Sequence, residues 1–538
     1  MLKGRSRRAF LGTATAAPAV ILANGPTTPQ TRAELAYQVR VEAARRQKEM
    51  PEVRHISNGD EQRYPTPFAS FAKGLPHDRF GEAEPEAYQQ LVRAMTTGEH
   101  AEFEAMPMGC GARKFVNPKA GLAYDMVGAD SHHLTLPPAP RFEGAEAAGE
   151  MLELYWMALA RDQPFAEYGS NSILRAACDE LSAFNGFLGP RIEGKVTPQT
   201  LFRGITPADL QGPFVSQFLL KPINYGAQYV DQRIRTSRPR ADYLTDFPGW
   251  LAAQNGCAAP PVNYDPTPRY VRNGRDLAEW VHRDVVFQAY FNASLILLNQ
   301  PDPDAAATRS GIAAPLAASN PYLASRNQDG FGTFGPPFIQ AMVAEVAVRA
   351  LKTVWHQKWY VHRRLRPEEF GGRVNAVMNG TAGYPIFGDL VRTEALQRVY
   401  ANHGSYLLPQ AYPEGCPLHP AYGAGHATVA GACTTILKAC FDESYEIPEP
   451  VEASTDGISL HPYAGQARLT VGGELNKLAA NIAMARNFAG IHWRTDYSRS
   501  VELGEAVAMR LLQDVRMTVQ EGFEGFEFTS FRGQKITV

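Results

Sequence analysis

The residues best suited to chemistry fall in three short stretches of the 538-residue sequence. The first, KWYVHRRLRP, sets Lys358 and Arg366 eight positions apart, with Pro367 behind them. Proline disfavours helical geometry at the residue before it, so a helix is expected to end at Arg366 and free its guanidinium to fork onto an anion. Trp355 and His362 lie at i−3 and i+4 from Lys358, on one face of a continuous helix. A solvated basic face is the alternative reading of this run. The second stretch, HPAYGAGH, sets His419 and His426 seven apart around Gly423 and Gly425. Apolar, helix-favouring residues follow, so a helix should open here, and its first N–H groups favour an anion. The glycines admit backbone conformations closed to other residues. A histidine in a first helical turn suits the helix dipole only if negative charge sits beside it. Packing and capping alone are the alternative. The third stretch, RNFAGIHWRTD, carries Arg486, His492 and Asp496. Six residues along an unbroken helix put Arg486 and His492 on different faces, but Gly490 supplies a break that turns the histidine back. Asp496 can accept from a histidine ring nitrogen or sit near an arginine. A lone histidine is otherwise a satisfied core residue. One lysine, two arginines, a helix N-terminus and histidines can surround a tetrahedral oxyanion, with phosphate or its isostere vanadate fitting best.

Helices must position these groups. Apolar residues recur at three- and four-residue spacing over 149–163, 276–300 and 338–365, and again over 425–441, 473–490 and 501–519. A charged amphipathic helix follows the N-terminal leader, and 50–145 is loop-rich with short helices such as EAYQQLVRAM. Residues 190–275, rich in Pro, Gly, Tyr and Asp, read as long loops with short strands. The tail predicts a small hairpin with Arg-Gly at its turn. The fold class is therefore mainly α, a large helical bundle with few short strands. Residues 26–300 form an N-terminal helical and loop-rich half, residues 301–538 a C-terminal half that carries the three stretches, and the two halves are expected to make one domain.

Composition bounds the function. Hydrophobic content of 44% with 20% charged residues is ordinary for a globular chain, and a net charge of −2 argues against nucleic acid as a partner. MLKGRSRRAFLGTATAAPAVILANG places Arg7-Arg8 in a basic region before an alanine-rich stretch, with a possible cleavage site at Ala17-Pro18-Ala19. Residues 1–25 therefore look like a twin-arginine signal, which implies a periplasmic or extracellular protein; a basic tail is the alternative. No later run is long and apolar enough to predict a membrane span. Six cysteines form no C-x-x-C pair, and Cys433 and Cys440 lie too far apart along one helix to bridge each other. Export permits disulfides, whose pairing stays open.

The three stretches resemble the motifs of the vanadium-dependent haloperoxidases, whose core is shared with the type 2 phosphatidic acid phosphatase superfamily. Those motifs are a lysine followed by Arg-Pro, a Ser-Gly-His, and an arginine with a histidine six residues on; here they fall on Lys358 and Arg366-Pro367, Ala424-Gly425-His426, and Arg486 and His492. The Lys-to-Arg step and the histidine seven before His426 are similar to the algal bromoperoxidase branch. So are KGLPHD (73–78), GLAYDMVGADSHHLTLPP (121–138), AGEMLELYWMALARD (148–162) and NQDGFGTFG (327–335). The resemblance covers most of residues 55 to 520.

The resemblance implies a vanadate cofactor with His492 as axial ligand to vanadium. It implies that Lys358, Arg366 and Arg486 neutralise the equatorial oxygens, with the Gly425 N–H donating as well, and that His426 bonds the apical oxygen. His419 would tune proton transfer, Trp355 would stand near the halide, and Asp284 would be a buried carboxylate that holds an arginine. Peroxide would then be polarised by Lys358 at a vanadium(V) that acts as a Lewis acid, and halide, bromide first and iodide also, would leave as hypohalous acid. His419 or His426 would serve as acid and base. Hydrogen peroxide, halide ions and small organic acceptors are the implied partners, and a homo-oligomer the implied assembly. One departure stands out: the motif's serine is Ala424, and a lost hydrogen bond to a charged group weakens binding by roughly 1.5–3 kcal/mol. An acid phosphatase with His492 as nucleophile, or a non-catalytic oxyanion-binding protein, are the other readings of the same pocket.

Overall fold

Three helices cross at the site stretches and fix where the functional side chains stand. The computed structural model describes residues 29–299 and 311–538, so the expected signal at 1–25 lies outside the described residues. Met1–Met50 and Pro51–Val538 are two separate units. In the first, a helix runs from Pro29 to Lys48 with none of its side chains fully buried among those described.

In the second unit the Gly425–Cys440 helix is the central element, with every residue but His426 buried. It packs against the Pro336–His356, Val471–Phe488 and Arg494–Arg516 helices. Its crossing with Arg494–Arg516 is a contact of backbone on backbone. A Cβ at Gly431 would stand 2.0 Å from the Val501 carbonyl oxygen, and one at Gly504 would stand 2.0 Å from that of Thr428. Only hydrogen fits at both positions. The Val471–Phe488 helix, buried throughout, ends as its sequence implies. Gly490 adopts φ +84°, and the Ile491 N–H returns to the Arg486 carbonyl at 3.2 Å.

Strands among the described residues are three short antiparallel hairpins. They pair Ile223–Tyr225 with Gln228–Val230, Val451–Ala453 with Leu460–Pro462, and Glu527–Thr529 with Lys535–Thr537. The last is the expected C-terminal hairpin, with Arg532 and Gly533 in its turn. The mainly helical architecture agrees with the sequence reading. Cys110 and Cys257 form a disulfide, and the other four cysteines are free and buried.

Two expected helices are broken. The 276–300 periodicity divides into Gly274–Trp280 and Gln288–Leu298, with an irregular stretch between them. The 338–365 periodicity stops as an α-helix at His356, widens to a π turn over Gln357–His362 and ends at Arg363, which sits at φ 36°. The Arg363 N–H bonds the Lys358 carbonyl five residues back. Such an insertion rotates everything after it, and such turns gather at functional sites. Both interruptions fall where the chain meets the site.

Candidate active site

Lys358 lies within the π turn rather than mid-helix, and the turn aims its side chain inward. Nζ is fully buried and donates to the carbonyls of Pro420 (2.8 Å) and Ala421 (3.0 Å). His362, expected on the same face, is carried away to the edge of Tyr422, with rings 4.8 Å apart and both ring nitrogens unpartnered. Burial pushes it down to about 3.

Arg366 is extended, as Pro367 requires, and begins the Pro367–Met378 helix. Its fully buried guanidinium donates to the carbonyls of His419 and Ile491, both at 2.9 Å, to His492 Nε2 at 2.9 Å and to His419 Nδ1 at 2.8 Å. This one side chain therefore joins all three stretches. Arg486 donates through Nη1 to the Val281 carbonyl (2.9 Å), lies 5.7 Å from the Tyr412 ring, and leaves Nε buried with no partner among the described residues.

No carboxylate pairs with any of the three cations among the described ion pairs. Burial, reinforced by Arg366 and Arg486, holds the Lys358 ammonium well below its usual range; burial also lowers Arg366, with Arg486 adding to it. Burial and these cations drive His492 and His419 far below the usual histidine range, so both rings are neutral. A buried cluster of uncompensated positive charge is costly, and an anion is what relieves it.

The helix start adds donors. Ala424 is the cap of the Gly425–Cys440 helix, and its N–H goes to Ser500 Oγ at 2.9 Å. No acceptor within the described residues takes the N–H groups of Gly425, His426 or Ala427. Gly425 serves here by closeness rather than by unusual φ, since a Cβ would stand 3.1 Å from the Trp355 ring. Trp355 is held by Nε1 to the Val116 carbonyl (2.9 Å) and lies against His419, with ring centroids 4.9 Å apart.

Two carboxylates stand behind the histidines. Asp496 Oδ2 accepts from His492 Nδ1 at 2.6 Å, and its Oδ1 from Arg364 at 3.2 Å, so both roles expected for it are filled. Burial raises Asp496 to about 6 against the pull of Arg364. Asp284 corrects an expectation: among the described residues it holds no arginine, and its Oδ1 lies 3.0 Å from His426 Nε2. The structure thus gathers Lys358, Arg366, Gly425, His426, Arg486, His492, His419, Trp355, Asp496 and Asp284 around one centre. Sequence reasoning missed Tyr412 beneath Arg486, and Arg364 with its partners Glu150 and Asp496. The arginine run at 363–364 was a visible signal, set against a solvated basic face; in fact Arg363 pairs with Glu61 at 2.7 Å and Arg364 is buried.

These residues fit vanadate. Three cations without carboxylates, an orphaned buried guanidinium Nε and free first-turn N–H groups supply donors on several sides, and a neutral histidine supplies a nitrogen ligand.

Comparison with known proteins agrees. A family model described as the VCPO second helical-bundle domain matches residues 339–521, which include all three stretches. The vanadium-dependent bromoperoxidase of Corallina pilulifera is 34% identical over 95% of this chain and 99% of its own length. That of Ascophyllum nodosum is 36% identical over 96% of this chain and 94% of its own. The solved homohexameric structure of the second vanadate-dependent bromoperoxidase from Ascophyllum nodosum superposes with a TM-score of 0.90 at 31% identity, covering 99% of this chain and 94% of that one. With its motif residues converging on one buried cationic pocket and this likeness running over at least 95% of it, the chain belongs to the vanadium-dependent bromoperoxidase family.

Proposed function

We propose that the protein is a vanadate-dependent haloperoxidase that oxidises bromide, and iodide also, with hydrogen peroxide to hypohalous acid, which then halogenates small organic acceptors. The observation that carries this reading is Arg366, a guanidinium with no exposed surface, no carboxylate partner and two further cations beside it. Vanadate, when bound, supplies a Lewis-acidic vanadium(V) centre that activates peroxide without changing oxidation state. His492 donates its Nδ1–H to Asp496, which leaves Nε2, now accepting from Arg366, with the lone pair that would bind the metal. Lys358, Arg366, Arg486 and the Gly425 N–H hold the anion's oxygens with donors already in place, so little reorganisation is needed as charge shifts. His419, neutral and with Nδ1 accepting from Arg366, offers its Nε2–H as a donor; His426, steadied by Asp284, exchanges protons at the helix start. Trp355 closes the pocket over His419 and borders the halide.

Dialysed, vanadate-free protein is expected to be inactive with bromide, peroxide and monochlorodimedone, and to regain activity on adding vanadate. Activity indifferent to vanadate, or turnover of phosphate esters alone, overturns the reading. The protein acts in this reading as an exported homo-oligomer. The Arg7-Arg8 leader and the Cys110–Cys257 disulfide support export, since disulfides persist in oxidising compartments. The homohexameric Ascophyllum structure supports self-association. Light scattering that finds only monomer, or a cell fractionation that finds the protein only in the cytoplasm, would remove the corresponding part.

A further inference from the structure

The irregular stretch between Trp280 and Gln288 faces two ways. Inward, the Val281 carbonyl holds Arg486 and Asp284 holds His426. Outward, Arg283 is exposed and its guanidinium lies 6.0 Å from the Tyr264 ring. A second exposed arginine, Arg235, is stacked on the same ring at 3.7 Å, and Arg238 reaches the Tyr264 carbonyl through Nε at 3.2 Å. The Tyr264 hydroxyl is shielded from solvent and has no hydrogen-bond partner among the described residues.

The carboxylates nearest these arginines in sequence have other partners. Asp265 pairs with Arg269 (3.3 Å), Asp231 with Arg233, Asp284 with His426, and Glu279 and Glu414 flank His282. No ion pair is formed by Arg235 or Arg283 among the described residues. On a chain whose net charge is −2, two exposed guanidiniums beside one ring without an ion-pair partner make a local positive field.

We propose that Arg235 and Arg283 form an outer anion site that gathers halide ions on the surface beside the pocket. The proposal rests on the haloperoxidase reading and deepens it. Halide seated there is one short loop away from His426 and Arg486, and the raised local concentration lowers the bulk halide needed to fill the inner site. Hydrogen peroxide is neutral and takes no part, which supplies an internal control.

The test compares vanadate-loaded wild type with Arg235→Gln, Arg283→Gln, the double variant and the corresponding lysine substitutions, at low ionic strength. A unit charge several ångströms from an ion in water changes its local concentration by about threefold. Each glutamine variant is therefore expected to raise KM for bromide about threefold and the pair about tenfold, with kcat and KM for peroxide unchanged. Lysine should restore most of the loss, and inert salt at about 0.15 M should erase most of the difference. A KM for bromide unchanged in the double variant overturns the proposal, as does an equal rise in KM for peroxide. If wild type oxidises no halide, the functional reading fails separately, and line broadening of the 35Cl resonance of chloride still decides the site. Broadening at least halved in the double variant supports it, and equal broadening overturns it.

Discussion

Arg364 and Arg366 stand two residues apart and are buried alike, yet they sit in opposite electrostatic worlds. Arg364 meets Glu150 at 2.7 Å, Asp496 at 3.2 Å and Thr495 Oγ1 at 2.9 Å. Although burial opposes it, Glu150 and Asp496 raise Arg364 above the usual arginine range. The Arg366 guanidinium meets only carbonyls and histidine nitrogens, its backbone N–H alone reaching the Glu369 carboxylate, and burial lowers it. Arg494, bound to both oxygens of Glu153, belongs with Arg364; Lys358 and Arg486 belong with Arg366. A buried cation given its carboxylate in the fold ties helices together. Three denied it and gathered around one pocket form a receptor, and the missing charge must come from outside.

That contrast can be broken most forcibly at Arg364. Arg364→Met leaves Glu150 and Asp496 buried without their cation and should destabilise the protein by about 3–5 kcal/mol, read by denaturant unfolding. Arg366→Met should do the reverse. Vanadate-free stability is expected to hold or rise, while kcat for bromide oxidation falls about 10²- to 10³-fold. Equal stability losses in the two variants would erase the distinction. Vanadate itself should stabilise the wild type by about 2.7 kcal/mol at a hundredfold excess over Kd, seen as a rise in Tm. The same addition should leave the Tm of Arg366→Met nearly unmoved. The smallest effect is expected at the cap: Ala424→Ser restores one hydroxyl donor and should tighten vanadate binding roughly tenfold, about 1.5 kcal/mol. An unchanged Kd from equilibrium dialysis would mean that the alanine is no deficit.

Much of this was legible in the residues. Periodicity found the Gly425–Cys440 and Val471–Phe488 helices within two residues, and Gly490 and Pro367 gave correct chain breaks. The motif spacing named the side chains that converge. What stayed hidden shares one cause. WVHRDVVF contains neither glycine nor proline, so nothing local announces that the helix opens at 281; it opens because the Val281 carbonyl and Asp284 are held by Arg486 and His426. The π turn around Lys358 is equally silent, since an extra residue in a turn leaves apolar spacing almost intact. Partner choice was the other blind spot. Local sequence gives no sign that Arg364 finds Glu150 while Arg366 finds none, because Glu150 comes from a helix more than two hundred positions away. Gly425 was read as a site of unusual backbone, whereas the structure needs it for room; at Gly423, joined to Tyr422 by a cis peptide bond, the backbone is unusual as read.

The crossing at Gly431 and Gly504 sets a limit on redesign. With main chain resting on main chain there, the span between the helix start at His426 and the turn at His492 has no side chain that could be trimmed or enlarged to adjust it. Attempts to widen the cradle for a bulkier oxyanion would have to separate two buried helices first. Reshaping this enzyme for new acceptors therefore belongs at the rim, among residues such as Trp355 and Arg283, where alterations leave the gauge of the inner cradle untouched.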